Sequence, residues 1–339
     1  MPVANPHMKT VCAACLWAIA GQPLLADDME PGLAISTEVE IGVEAVVSAD
    51  DPDAEVSDVY LSIELEAEAA LTPNLGFFTS LTLESVTDAE EDRAFEDIGL
   101  YVGTLGLSYT FEPVTVIAGK FNPAFGSAWD TAPGEFGTNF AEDYELEEML
   151  GLAAEIELGD GVLTFSAFYP DDTVLSDSLG TQRGRNRTSE GEVGNTGQLN
   201  NFALQYDHDF EQTSLHLGAL HLSRGEEDVD QNGFALGVTH RLSQDIDLMA
   251  EAAYFDGWEG EERTASLATL GASYTQGPLT LSLAIAQRDV SGAPTDRLLA
   301  VGADYSFDND IVLSTAFARV REEGEDSNLV SVLFTVTFE

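Results

Sequence analysis

The chain has 339 residues, 44% of them hydrophobic, and sets 61 acidic side chains against 13 basic ones, a formal net charge of −48. A surface that negative excludes a nucleic-acid binder, because affinity for a phosphate backbone comes from clustered Lys and Arg. The acids are spread from end to end among frequent Leu, Ile, Val and Phe, which excludes a disordered acidic tail and predicts a chain that folds.

At the N-terminus, Lys9 precedes a short apolar run, Thr10 to Gly21, and Gln22-Pro23-Leu24-Leu25-Ala26 leads into Asp27-Asp28. This order describes a secretory signal peptide, so residues 1–26 are predicted to be a leader cleaved after Ala26, with Met8 as its expected start, and residues 27–339 to be the exported domain. The apolar run is well short of the ~20 residues that a spanning helix needs. Cys12 and Cys15 both fall in the leader. The exported part therefore has no thiol, which excludes disulfides, cysteine-held metals and a cysteine nucleophile.

Beyond the leader, segment after segment alternates apolar with polar or small residues, the period of a strand with one face in each environment. Ile35, Val39, Ile41 and Val43 lie opposite Glu38, Glu40 and Glu44; Val59, Leu61, Ile63, Leu65 and Ala67 lie opposite Tyr60, Ser62, Glu64, Glu66 and Glu68. At the far end Val330, Val332, Phe334, Val336 and Phe338 lie opposite Ser331, Thr335 and Thr337. Sixteen strands are predicted, near residues 33–47, 56–69, 75–86, 95–111, 114–121, 148–158, 162–169, 199–208, 213–223, 233–242, 246–257, 263–275, 279–289, 297–307, 311–320 and 328–338. Tight turns at Thr72-Pro73-Asn74, Glu112-Pro113, Gly159-Asp160-Gly161, 209–212, 243–245, 276–278 and 308–310 alternate strictly with longer polar loops.

That alternation predicts an all-β transmembrane antiparallel barrel of about sixteen strands, with short periplasmic turns at one rim and long acidic external loops at the other. Closure follows from the same physics, since strands in lipid cannot leave edge N–H and C=O groups unpaired. Tyr305, Phe307, Phe338, Tyr109, Phe111, Phe77 and Phe78 fall near short-turn ends and Phe234, Trp258, Phe255 and Phe317 nearer long-loop ends, where aromatic girdles are expected.

The leader, the strand alternation, the alternating loop lengths and a last strand ending in an aromatic make the chain resemble bacterial outer-membrane porins. It departs from their pattern in that Phe338 is followed by Glu339. Locally, Ala118-Gly119-Lys120-Phe121-Asn122-Pro123-Ala124-Phe125-Gly126 is similar to the strand end and turn of phosphate-type and LbtU-type siderophore porins. The resemblance implies that the connection Asn122 to Glu147 folds into the lumen and sets the constriction. It carries Asp130, Glu135, Glu142, Asp143, Glu145 and Glu147, and 139–150 is predicted to form a short helix capped by Asn139. Trp129, Phe136, Phe140 and Tyr144 give this loop an apolar surface that needs a wall; the alternative is an acidic loop lying flat over the mouth.

Lys120, at the root of the loop, faces two readings: a cation set against the acids across the constriction, or a local ion pair at the loop base. The connection Asp171 to Gln198 holds Arg183, Arg185 and Arg187, read as an anion site, a contact with outer-leaflet phosphates, or partners of the acidic loops. If apolar residues face lipid, then Glu38, Glu40, Glu44, Glu64, Glu66, Glu68, Glu84, Glu155, Glu157 and Glu251 line the pore, with Arg241 and Arg288 beside them. A passage lined by carboxylates concentrates cations and repels anions, and repulsion among adjacent carboxylates makes that preference weaken on acidification.

The four histidines after the leader, His208, His216, His221 and His240, are scattered over strands, and no hydrolase or phosphate-loop pattern appears, so no enzymatic activity is expected. Asp228-Val229-Asp230-Gln231-Asn232-Gly233 matches the opening of a calcium loop, but Thr239 stands where a bidentate Glu is needed; no metal and no cofactor are expected. The expectation is a passive, cation-preferring diffusion channel for small hydrophilic solutes in a bacterial outer membrane, touching its lipid and lipopolysaccharide. Porins of this size commonly form homotrimers, as the resemblance implies. The alternatives are a substrate-specific porin for a siderophore or similar ligand, and a non-conducting adhesin or surface-structural barrel.

Overall fold

The computed structural model describes residues 32–190, 193–308 and 310–339. The leader expected over residues 1–26 lies outside the described residues. Sixteen long strands appear among them: β1 (Leu33–Ala49), β2 (Ser57–Thr72), β3 (Leu75–Ser85), β4 (Ile98–Phe111), β5 (Val114–Phe121), β6 (Met149–Leu158), β7 (Gly161–Pro170), β8 (Asn201–Phe210), β9 (Thr213–Leu222), β10 (Gln231–Arg241), β11 (Ile246–Asp256), β12 (Thr264–Gln276), β13 (Leu279–Val290), β14 (Asp296–Ser306), β15 (Ile311–Glu322) and β16 (Glu325–Phe338). Each pairs antiparallel with its neighbours in chain order, and β1 closes the ring on β16 from Thr37 opposite Phe338 to Ala49 opposite Ser327. No helix among the described residues is long and apolar enough to cross a membrane, so any crossing is made by strands.

The pleat sorts the side chains. In β1, Ile41 and Val43 are exposed on the outer face while Glu40 and Glu44 are buried within. The same alternation runs through β14, where Leu299 and Val301 are exposed and Leu298 and Ala300 are buried. The aromatics follow parity and not mere nearness to a rim: Phe78, Phe255 and Trp258, expected in the girdles, point inward and are buried, whereas Tyr305, Phe307, Tyr109 and Phe338 are exposed outside.

The inner face is not uniform. β1 to β3 present carboxylates, but β8 to β15 present small apolar groups such as Ala203, Ala235, Ala253, Ala265, Ala284, Ala300 and Ala318, all buried. An inner face of alanine has no affinity for lumen water and leaves space for something to pack against it. The occupant is the loop between β5 and β6, described below.

One stretch of wall is borrowed. β5 has only eight residues and pairs with β4 from Leu105 to Phe111, which leaves the upper half of β4 without that neighbour. The loop after β7 supplies it: Leu179 and Gly180 pair with Leu100 and Gly99, and Thr181 N–H donates to Ile98 O at 2.9 Å. Where β4 and β5 do meet, Gly106 and Gly119 are opposite one another, and a Cβ on Gly119 (φ +143°) would stand 2.3 Å from Leu105 O and 2.6 Å from Gly106 Cα. Only glycine fits there.

Candidate functional site

The connection from Asn122 to Glu148 folds inward. Its two ends are tied together, Glu148 N–H donating to Asn122 Oδ1 at 3.0 Å, and Glu148 turns the chain at φ +54° into β6. The helix expected over 139–150 does not form. Only a single turn, Glu142–Tyr144, is helical, because Met149 and Leu150 pair into the wall opposite Phe121 and Lys120. A second short helix, Ala128–Thr131, lies at the front of the loop.

Aromatic side chains hold the loop to the alanine-lined wall. Phe125, Phe136, Phe140 and Tyr144 are nearly or fully buried. Phe125 meets Tyr144 and Phe255 edge-on at 6.0 and 5.9 Å between ring centres, and Phe255 packs against Trp258 at 4.8 Å with the rings tilted by 60°. Such pairs add to the area they bury.

Two polar anchors fix the register of this packing. The carboxylate of Glu251, on β11, accepts from Ser127 N–H and Ser127 Oγ at 2.7 Å each, from Ala128 N–H at 3.1 Å, and from the Tyr144 hydroxyl. Burial and the Glu251 carboxylate push the Tyr144 phenol well above its usual range, so it stays a donor. On β13, Arg288 binds Asp143 on the loop, Asp296 at 2.9 Å and Glu322 at 2.5 Å, with its guanidinium 4.9 Å from the Phe140 ring centre. Glu251 and Arg288 do point inward, as their strand parity requires. Glu251, however, is sealed beneath the loop and positions it, whereas Arg288 both holds the loop and borders a smaller chamber towards the long-loop rim.

Beside the loop lies an open cavity of about 750 Å³. From the barrel wall it is lined by Glu38, Glu40, Glu64, Glu84 and Asp304, and from the loop by Asp130, Glu135, Glu142, Glu145, Glu147 and Glu148. No Lys, Arg or His is among the described residues that line it. Ser62, Ser80, Thr82, Thr335 and Thr337 fill the gaps between the acids, and Tyr101 donates to Glu84. Burial, with Asp304 and Glu142 adding repulsion, raises the Glu135 carboxyl to about 7; burial, with Glu147, Glu142 and Asp130, raises that of Glu145 to about 9. A smaller chamber of about 360 Å³ lies towards the long-loop rim and contains Glu44, Glu142, Asp143 and Arg288. Glu142 borders both, its Oε1 accepting from Thr138 Oγ1 at 2.5 Å.

The remaining expected pore residues stand apart from this cavity. Glu66 and Glu68 share the inward parity of Glu64, opposite Ser36 and Ala34, and Glu66 accepts from Ser36 Oγ at 3.2 Å. Glu155 and Glu157 lie on β6 towards the short turn to β7. Arg241 sits at the short-turn rim, exposed, with its Nε 3.3 Å from Asp247.

Lys120 does not belong to the constriction. The register sets it opposite Leu105 and Leu150, on the parity of outer-face leucines, and its fully buried ammonium contacts Glu148 at 2.6 Å, Asp171 at 3.1 Å and the Leu175 carbonyl at 3.0 Å. Of its two readings, the ion pair at the loop base is the one the structure contains. Arg183 reaches the same carboxylate, donating to both oxygens of Glu148 at 2.7 and 2.6 Å with its guanidinium 4.0 Å from the Tyr101 ring centre. Arg185 turns away to donate to Asp172 O at 2.7 Å. Arg183 and Arg185 therefore do not converge on one anion site: Arg183 seals the borrowed stretch of wall. Glu148, Asp304 and Tyr101 were not singled out in the sequence. Asp304 had a usable signal, its inward parity in β14, but Glu148 is placed by the loop's return.

No family model and no curated protein sequence matches the chain. Among solved structures it is similar to the outer-membrane channel DcaP of Acinetobacter baumannii, at a TM-score of 0.67 and 14% identity over 90% of this chain and 97% of that one. It is also similar to Salmonella typhi OmpF, solved in complex with daunomycin, at a TM-score of 0.65 and 12% identity over 91% and 98%. A mutant of Rh. blastica porin gives 0.59 and 18% identity over 91% and 100%. Its closed barrel of sixteen antiparallel strands gives this chain the fold of the outer-membrane porins.

Proposed function

We propose that the protein is an outer-membrane channel through which small hydrophilic solutes diffuse downhill, with a preference for cations. The observation that carries this reading is the cavity beside the inward loop, with eleven carboxylates and no basic side chain among its described lining residues. Fixed negative charge at a narrow, low-dielectric passage raises the local concentration of cations and lowers that of anions. The open cavity also supports conduction over a non-conducting adhesin, since the loop occupies the alanine-lined side and leaves the acidic side free.

In this reading the seven short turns face the periplasm, the long acidic loops face outward, residues 1–26 direct export, and three barrels associate. The apolar outer face contacts lipid. No step needs a cofactor or a catalytic residue, because the selectivity is a matter of field and radius.

The test is single-channel conductance of the refolded protein in a planar bilayer, with reversal potentials under a salt gradient. Stepwise openings with a cation-selective reversal potential are expected. Selectivity should fall when Glu135, Glu142 and Glu147 are replaced together by Gln. A folded barrel that never conducts, or one that conducts with anion preference, refutes the proposal.

A further inference from the structure

The basic residues of this chain are few, and most lie against a carboxylate, as Arg93 does with Asp58 and Arg263 with Glu259. Arg297 and Arg321 do not. Among the described residues neither has an acidic oxygen within ion-pair distance, yet they are directly opposite one another in the β14–β15 ladder. Like charges in that position repel. Arg319, two residues along, sits opposite Leu299 and is held by Asp326 at 3.1 Å.

All three point away from the lumen. Arg319 and Arg321 alternate with buried Ala318 and Val320 and continue the exposed row of Phe317, and Arg297 continues that of Leu299 and Val301. Their height is set by the strands. From Arg297 to Phe307, and from Arg321 to Ile311, is ten residues; at ~3.3 Å per residue and a tilt of ~40° this spans about 25 Å, the height of an apolar band. Tyr305 and Phe307, with ring centres 4.8 Å apart, mark its short-turn edge. The guanidinium groups therefore stand at the opposite edge, where lipid headgroups begin.

The nearby carboxylates offset this repulsion only in part: Asp326, opposite Arg321 in the β15–β16 ladder, turns to Arg319 at 3.1 Å, and Asp289, which Arg297 attracts without touching, accepts from Thr295 Oγ1 and Gln287 Nε2 at 2.5 Å each. A doubly charged phosphate resolves the repulsion, since guanidinium forks match its oxygens two at a time. We propose that Arg297 and Arg321, with Arg319 beside them, form an outer-face site for the phosphate of a lipid headgroup at the long-loop rim. The inference rests on the reading of the barrel as an outer-membrane protein.

The experiment measures binding of bisphosphorylated lipid A, of its dephosphorylated form and of inorganic phosphate to the detergent-purified protein by native mass spectrometry. The wild type should hold the phosphorylated lipid in preference to the dephosphorylated one. Arg297→Gln with Arg321→Gln should weaken it about tenfold or more, Arg297→Lys with Arg321→Lys should recover part of the loss, and Arg241→Gln at the other rim should change nothing. Equal binding by wild type and the Gln pair, or no preference for the phosphorylated lipid, overturns the site. Competition by inorganic phosphate at equal concentration overturns the lipid assignment, and a change of oligomer mass in the Gln pair without a change in lipid assigns the face to a second copy instead. Binding in detergent is read whether or not the barrel conducts, so a failed conductance experiment refutes the channel and not this site.

Discussion

Glu251→Gln tests how the constriction is held. The native carboxylate accepts four hydrogen bonds from the loop, through Ser127 N–H, Ser127 Oγ, Ala128 N–H and the Tyr144 hydroxyl. A glutamine of the same shape keeps one acceptor oxygen and turns an NH2 group towards donors, so about half of these bonds are lost and a backbone N–H of the loop is buried without an acceptor. At about 1.5–3 kcal/mol for each bond to a charged group, docking of the loop weakens by about 3–6 kcal/mol. Since 1.4 kcal/mol is tenfold in a population, the undocked state gains about two orders of magnitude or more. The anchor at Arg288 and the buried aromatics remain, so the loop should fluctuate and not leave. The expected result is noisier single-channel current, a higher mean conductance and passage of larger neutral sugars, with every strand pair still intact. Current noise, conductance and sugar cut-off all equal to those of the wild type would refute the anchoring role.

Three further outcomes follow from the same geometry. Glu135 is protonated below about 7 and charged above it, so cation preference should rise between pH 6 and pH 8, and Glu135→Gln should flatten that rise in reversal-potential measurements. Because its folded value lies above the unfolded 4.5, the unfolded chain releases the proton first and stability falls as pH rises from about 4.5 to about 7, levelling off above; Glu135→Gln should stabilise the protein at pH 8 and leave it unchanged at pH 4 in denaturant titrations. Lys120→Met leaves Asp171 and Glu148 short of a buried cation, at a cost of about 3–5 kcal/mol to that cluster, and should expose the Arg185–Arg187 segment to trypsin, which an unchanged digestion pattern would contradict. Gly119→Ala drives a methyl into the Leu105 carbonyl at a backbone angle that L residues avoid, and should lower the thermal stability of the barrel by about 1–3 kcal/mol or more; a variant as stable as the wild type would show that the ladder can part there.

Much of the fold was legible because a strand at a lipid boundary must alternate, and alternation is a local property of sequence. Ile41 and Val43 against Glu40 and Glu44 state the two faces of β1 without knowledge of any other strand. The alternation of tight turns with longer polar connections selects a meander, although it is not strict: β15 and β16, expected to be joined by a long loop, are joined by the two-residue turn Glu323-Gly324; the need to pair every backbone group in lipid closes the ring. The aromatic content of the loop after β5 likewise predicted a wall for it to pack on.

What alternation does not state is which inward residues see water. Glu64 and Glu251 carry the same signal, a carboxylate on the inner parity, yet one lines the open cavity and the other is buried under four donors. The difference is made by a loop more than a hundred residues earlier in the chain, which settles on the side where the inner face is alanine. Lys120 and Arg183 show the same limit. Neither the register that turns Lys120 outward nor the gap beside β4 that draws Arg183 towards Glu148 is a property of neighbouring residues. Period and turn chemistry determined the barrel; the filling of its interior depended on volume and charge brought together across the ring, which only the closed structure assembles.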